Sequence, residues 1–303
     1  MAEPAKPLPA LLETERDENY GYRVLKTRPA AEEVAKYFRE DYYGAIASGE
    51  KAADIARALS GGEEAARQAR WMRHTLYADV LEMIRMHAPG GRVLEIGCGL
   101  GDLLLYLEEN GCAVRGVDIA PKAVEAARAR GLDVALGDFR KLAGDALPRE
   151  SLDAILFMNV LEQMPEPDEV IAAAHGLLAP GGVVIVRSGN DFNPLQIEAA
   201  RATGAGEFWV TADHLSYFSF SSLERLFDAK GLETVAAQGD FPMEMMALLG
   251  FDYLNDPAQG GEAHRRRVAF EEALTPEVRR RLYRAFAQAG LGRCLLMAAR
   301  KRD

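Results

Sequence analysis

The chain has 303 residues, 49% of them hydrophobic and 27% charged, a balance that suits a globular protein able to bury a sizeable core. Its 36 basic and 46 acidic side chains leave a net charge of −10, which argues against nucleic acid as a partner, since that surface needs a basic stripe. No stretch approaches the roughly 18 apolar residues of a membrane span, and residues 1–17 are Pro-rich and charged without an apolar signal core, so a cytoplasmic location with no membrane partner is expected. The cysteines, Cys98, Cys112 and Cys294, lie too far apart for C-x-x-C spacing, so neither a disulfide framework nor a metal site is expected.

Residues 1–16 read as a loose leader. Tyr20, Tyr22, Tyr37, Phe38, Tyr42 and Tyr43 then crowd a short stretch, where they either pack on the main domain or line a lid. Helical patterns follow over 51–59 and, after Gly61-Gly62, over 63–87, where Met72, Leu76, Val80 and Ile84 recur at every fourth position. On this helix Arg70, Trp71, Arg73 and His74 form a polar-aromatic cluster, and Arg73 is a candidate to hold a carboxylate, unless the face is simply solvated.

The centre of the chain is Val93-Leu94-Glu95-Ile96-Gly97-Cys98-Gly99-Leu100-Gly101-Asp102. A short apolar run reads as a buried parallel strand over 92–96; the glycines make a tight turn, and Leu103, Leu104 and Leu107 begin a helix. Such a turn lets a nucleotide-like cofactor lie against the backbone near a helix N-terminus. A dinucleotide loop requires G-x-G-x-x-G beside its pyrophosphate, whereas here G-x-G-x-G ends in Asp102, an acid better suited to a cofactor carrying positive charge. A second strand over 113–117 ends in Asp118, placed to accept hydrogen bonds from a ribose, with Ile119 beside it. A helix opened by Pro121 and closed by Gly131 leads to a third strand, 133–136, and to Gly137-Asp138-Phe139. Residues 152–160 are apolar enough for a strand buried on both faces, ending in Asn159-Val160-Leu161-Glu162-Gln163 at the switch point of the sheet. A helix over 168–178, a turn at Pro180-Gly181-Gly182 and a strand over 183–187 come next.

These ordered features, from Arg92 to Gly239, resemble the class I S-adenosylmethionine-dependent methyltransferases. The resemblance implies an α/β, Rossmann-like, doubly wound seven-stranded sheet with the last strand antiparallel. It also implies S-adenosyl-L-methionine as cofactor, held by Glu95, Gly97, Cys98, Gly99, Gly101, Asp118, Ile119, Asp138, Phe139 and Asn159, with Arg73 over its tail. Asp138 corresponds to the family's adenine-amino acceptor. Gln163 stands where many small-molecule members have His, and no N/D-P-P-Y/F of base-modifying enzymes is present. The sixth and seventh strands are expected at 233–238 and 293–299, with a helix over 222–230 capped by Ser221-x-x-Glu224.

The organisation is therefore an N-terminal leader and helical lid region (1–88), a cofactor-binding core (89–239), a helical substrate-side insertion (240–290) and the last strand (291–303). Asp213-His214-Leu215-Ser216-Tyr217-Phe218-Ser219 resembles the E-H-x-x-Y-F-S segment of bacterial sugar methyltransferases. On that ground His214 is the candidate general base, with Asp213 orienting it or simply exposed, and Tyr217 touching substrate or packing. In the insertion, Arg265, Arg266, Arg267, Arg279, Arg280, Arg281 and Arg284 either meet a diphosphate or, interspersed with Glu262, Glu271, Glu272 and Glu277, form a solvated face. The reading is methyl transfer to a small molecule, most simply a sugar or sugar-nucleotide hydroxyl or amine. The alternatives are a quinone or phenolic O-methyltransferase and a non-catalytic cofactor-binding protein, with a nicotinamide oxidoreductase a poorer fit. The sequence leaves the oligomeric state open.

Overall fold

The structure, a computed structural model, describes residues 12–42, 62–142 and 147–302; the helix expected over 51–59, Tyr43 and the first residues of the leader lie outside them. Seven strands form the central sheet: β3 (Arg92–Ile96), β4 (Ala113–Asp118), β5 (Val134–Leu136), β6 (Leu152–Met158), β7 (Leu178–Gly189), β9 (Leu232–Gly239) and β10 (Cys294–Lys301), in the order β5-β4-β3-β6-β7-β10-β9. Neighbours from β5 to β7 pair in parallel, and β10 runs antiparallel to both β7 and β9. This is the expected doubly wound sheet with its last strand reversed.

Side chains alternate between two cores, as the two-residue period of a strand requires. Leu94, Ile96, Ile155, Phe157, Val184, Val186, Leu295 and Met297 enter one core, with Leu223 and Phe227 of the Phe220–Ala229 helix. Val93, Ala154, Leu156, Val183, Ile185, Leu296 and Ala298 enter the other, against Val80 and Ile84 of the Ala78–His87 helix and Leu107 of the Asp102–Glu109 helix. Burial on both faces explains why these strands were readable as continuous apolar runs.

Several local expectations are corrected. Pro180-Gly181-Gly182 lies inside β7 as a bulge, the pairing passing from Leu152 with Leu178 to Ala154 with Val183. The cap of the Phe220–Ala229 helix is Ser219, which exchanges hydrogen bonds with Ser222, rather than Ser221 with Glu224. The helix expected over 63–87 contains a π turn at Arg73–Tyr77 between Gly62–Met72 and Ala78–His87. The leader is structured near its end: β1 (Thr14–Arg16) pairs with β2 (Arg23–Leu25), which pairs with β8 (Ser216–Tyr217), an antiparallel three-stranded sheet. That sheet ties the N-terminal segment to the segment following His214. Tyr22 packs at 5.0 Å on Phe218, so the first aromatics pack, whereas Phe38 and Tyr42 line a cavity.

Candidate active site

The carboxyl ends of β3, β4, β6 and β7 open into one cavity of about 1520 Å³. Ligand pockets usually occupy about 300–1,000 Å³, so this one has room for a cofactor and an acceptor together. The cofactor side is built first by the glycine turn. Gly97 (φ +68°) and Gly101 (φ +77°) adopt left-handed backbone, and a Cβ would lie 2.5 Å from Val160 Cγ2 and 2.4 Å from Leu132 Cδ1 respectively. Only glycine lets the loop pass so close to both neighbours. Gly99 and Ala120 donate their amides to the two Asp118 oxygens, each at 2.8 Å, which fixes the carboxylate at the end of β4.

Glu95 is buried at the end of β3, and its Oε2 has no hydrogen-bond partner. Burial, reinforced by Asp118 and Asp102, holds its carboxyl well above the usual carboxylate range. An orphaned buried carboxyl beside the glycine turn, which a neighbouring cation would stabilise in its ionised form, is complementary to a positively charged ligand, so the residues present fit S-adenosylmethionine. Asp102, expected to supply that acidity, is instead paired with Arg130 at 2.7 Å. Cys98, Ile119, Asp138 and Phe139 line the same side, and the Asp138 carboxylate accepts from Arg140 at 3.2 Å. Asn159 also lines the cavity; it holds φ +58° at the tip of β6, and its Oδ1 accepts from Arg187. Strained backbone of this kind persists where the surroundings fix it, commonly at functional sites.

Arg73 does not join them. Its guanidinium pairs with Glu109 and lies 4.8 Å over the Tyr106 ring, away from the cavity lining. Trp71, near the end of the Gly62–Met72 helix, and Thr75 and Tyr77 of the π turn line the cavity instead. His74 bonds to the Arg70 carbonyl at 2.8 Å, a contact within its own helix.

On the acceptor side, His214 and Asp213 both line the cavity. His214 is half-buried, its Nδ1 unpartnered, and it faces Glu162 and Asp191. Asp213 faces Tyr42. Tyr217 is fully buried and outside the cavity lining: its hydroxyl donates to the Thr211 carbonyl at 2.6 Å and accepts from the Thr211 amide at 3.2 Å. It therefore shapes the loop that carries His214, the packing alternative of the two expected of it, and does not reach the cavity as a substrate contact.

The far wall comes from residues that sequence reasoning missed or misplaced. Trp71 donates its indole N–H to Glu271 at 2.6 Å, and Arg267 donates to Glu271 and to Asp240, each at 3.1 Å. Tyr283 also donates to Glu271, and Arg187 reaches Asp240 at 3.2 Å, joining the insertion to β7. Of the insertion's arginines, Arg265 and Arg266 pair with Glu262 on the surface, whereas Arg267 and Arg279 are buried among carboxylates. The solvated-face reading thus holds for part of each helix. A repeat of Glu271 four residues after Arg267 was the one sequence signal for the buried pairing.

The family described as a methyltransferase domain matches residues 68–237. The ubiquinone biosynthesis O-methyltransferase of Xanthomonas campestris pv. campestris is 36% identical over 110 residues, 35% of this chain and 46% of that protein. The chain thus spans about half the length of the curated relatives it matches. Among solved structures, an S-adenosylmethionine-dependent methyltransferase from Archaeoglobus fulgidus aligns with a TM-score of 0.53 at 16% identity, covering 86% of this chain and 100% of its own. The magnesium protoporphyrin IX methyltransferase of Synechocystis PCC 6803, solved with bound S-adenosylhomocysteine, aligns with a TM-score of 0.50 at 16% identity, covering 68% and 91%. The chain belongs to the family of S-adenosylmethionine-dependent methyltransferases. Among the described residues no helix is long and apolar enough to cross a membrane, and no cluster of side chains suits a metal ion.

Proposed function

We propose that the chain methylates a hydroxyl of a small phenol- or quinol-type acceptor. The observation that carries this reading is a single cavity holding the Glu95–Asp118 loop at one side and His214 at the other, with Phe38, Tyr42, Trp71 and Trp209 along its wall. Aromatic side chains of this kind suit a flat apolar ring. The ubiquinone-biosynthesis name of the curated relatives supports the same acceptor class. A sugar hydroxyl is the second reading, supported by the likeness of residues 213–219 to the sugar-methyltransferase segment. The net charge of −10 favours a small acceptor over nucleic acid.

Bound here, S-adenosylmethionine supplies an electrophilic methyl group on a positively charged sulfur. Asp118 is assigned to the ribose hydroxyls, Glu95 to the cationic tail, and Asp138 with Ile119 and Phe139 to the adenine. His214 takes the proton of the acceptor hydroxyl. The aromatic wall and the 240–290 insertion hold the acceptor in line and exclude water, which lowers the barrier chiefly through orientation.

The test is S-adenosylhomocysteine formation with catechols, simple phenols and reduced quinones set against monosaccharides and nucleotide sugars. Turnover of the aromatic hydroxyls at least tenfold above the sugars is expected. Turnover confined to sugars would replace the acceptor class, and binding of cofactor with no turnover in either group would favour a non-catalytic protein.

A further inference from the structure

Three loops at the carboxyl edge of the sheet bring Glu162, Asp191 and His214 to the cavity lining, where both carboxyls lie near enough to His214 to feel its charge. Glu162 lies on the short turn after β6 and Asp191 on the loop after β7, with exposures of 1% and 8%. Each carboxylate has one oxygen engaged: Asn159 donates to Glu162 Oε1 at 3.5 Å, and Gln196 donates to Asp191 Oδ1 at 3.3 Å. Glu162 Oε2, Asp191 Oδ2 and His214 Nδ1 are all buried without a partner. Purely structural carboxylates rarely keep an oxygen buried and unsatisfied.

The backbone holds the three together. Leu215 donates its amide to the Glu162 carbonyl at 2.8 Å, and Asp191 donates its amide to the Phe218 carbonyl at 2.9 Å. Both carboxylate residues are thereby tied to the chain immediately beyond His214. Burial raises both carboxyls, Asp191 to about 6, and the imidazole opposes that rise in each. The other groups around the corner are the buried Ser188 hydroxyl beside the Glu162 carboxyl, Asp213 beside His214, the Tyr217 ring at 6.1 Å, Arg187 facing Glu162, Arg293 facing Asp191, and Tyr42 facing Asp213 and Glu162.

We infer that Glu162 and Asp191 are positioning residues for His214, fixing its ring and balancing the charge it gains with the acceptor proton. This rests on the assignment of His214 as the base. In the transfer, the acceptor O–H bond breaks as the O–CH3 bond forms and the S–CH3 bond breaks. The sulfur keeps the electron pair of that bond, and the proton passes to His214 and then to solvent. Two nearby carboxylates favour the protonated imidazole, the logic of a base oriented by an acid.

The test is the 15N titration of the His214 imidazole in the full chain, assigned by its loss in His214→Gln. Asp191→Asn and Glu162→Gln keep shape but remove charge, and each should lower the midpoint by roughly half a pH unit or more. Both should also move the acid limb of the kcat/KM profile to lower pH in the same direction, with an accepted phenol as probe. An unchanged midpoint in whichever of the two variants folds overturns the inference. If the midpoint shifts while His214→Gln retains full turnover, the positioning stands and the base assignment fails.

Discussion

Replacing Asp79 by alanine should destabilise the chain by about 3–5 kcal/mol, because it strands a buried guanidinium. Asp79 and Arg279 are each 2% exposed, and Asp79 Oδ1 accepts from Arg279 at 2.8 Å and from Arg280 at 2.7 Å. Arg280 is partly exposed and also reaches Glu82 at 3.8 Å, so it has a second partner and water. Arg279 has only the Thr75 carbonyl at 3.5 Å beyond its pair, and its Nε is buried without a partner. The loss should appear as a lower denaturant midpoint with an unchanged slope. Replacing both Asp79 and Arg279 by leucine should recover most of it, since a well-packed apolar pair substitutes for a buried ion pair at little cost. A single variant as stable as the parent would show that the pair is solvated. This ion pair joins the Ala78–His87 helix to the Pro276–Gln288 helix, which carries Tyr283 into the cavity wall. Its role is to seat the insertion on the core.

His214→Gln should lower kcat by about 10²–10⁴-fold, the usual contribution of a positioned general base. Cofactor affinity should be unchanged, because Glu95, the glycine turn and Asp118 are borne by other elements. Glutamine keeps a hydrogen-bonding side chain of similar reach, so the loss reports on proton transfer. Single-turnover rates with a saturating phenol, alongside calorimetric binding of S-adenosylhomocysteine, separate the two quantities. Normal turnover would remove His214 from the chemistry and leave it as a wall of the pocket.

What could be read from the sequence follows the strength of local signals. β3 and Asp118 were legible because an apolar run meets glycines whose conformation no other residue adopts cheaply, and because an acid closes the next strand. β1 was not, since Thr14-Glu15-Arg16 has no apolar period and owes its pairing to Arg23–Leu25, itself bound to Ser216–Tyr217 far along the chain. Arg73 was misplaced because a π turn adds a residue to the helical repeat, and the face deduced from a regular period no longer applies. Arg267 and Arg279 read as surface charges, since their burial depends on Asp240, Glu271 and Asp79, two of which lie on other elements. The corner of Glu162, Asp191 and His214 was half legible. The histidine stood out among polar and aromatic neighbours, but only the meeting of three loops shows which carboxylates face it.

The most direct measurement is thermal unfolding with S-adenosylhomocysteine and, separately, with NAD, on the parent and on Asp118→Ala. At about 100 times its dissociation constant a ligand stabilises the native state by roughly 2.7 kcal/mol. Stabilisation by S-adenosylhomocysteine alone, abolished in Asp118→Ala, is the expected result. It should grow as pH rises above the usual carboxylate range: burial raises the Glu95 pKa, so its carboxyl ionises late, and the ionised form is the one that holds the ligand's ammonium. Stabilisation by NAD, or by neither nucleoside, would contradict the assignment of this cavity to S-adenosylmethionine.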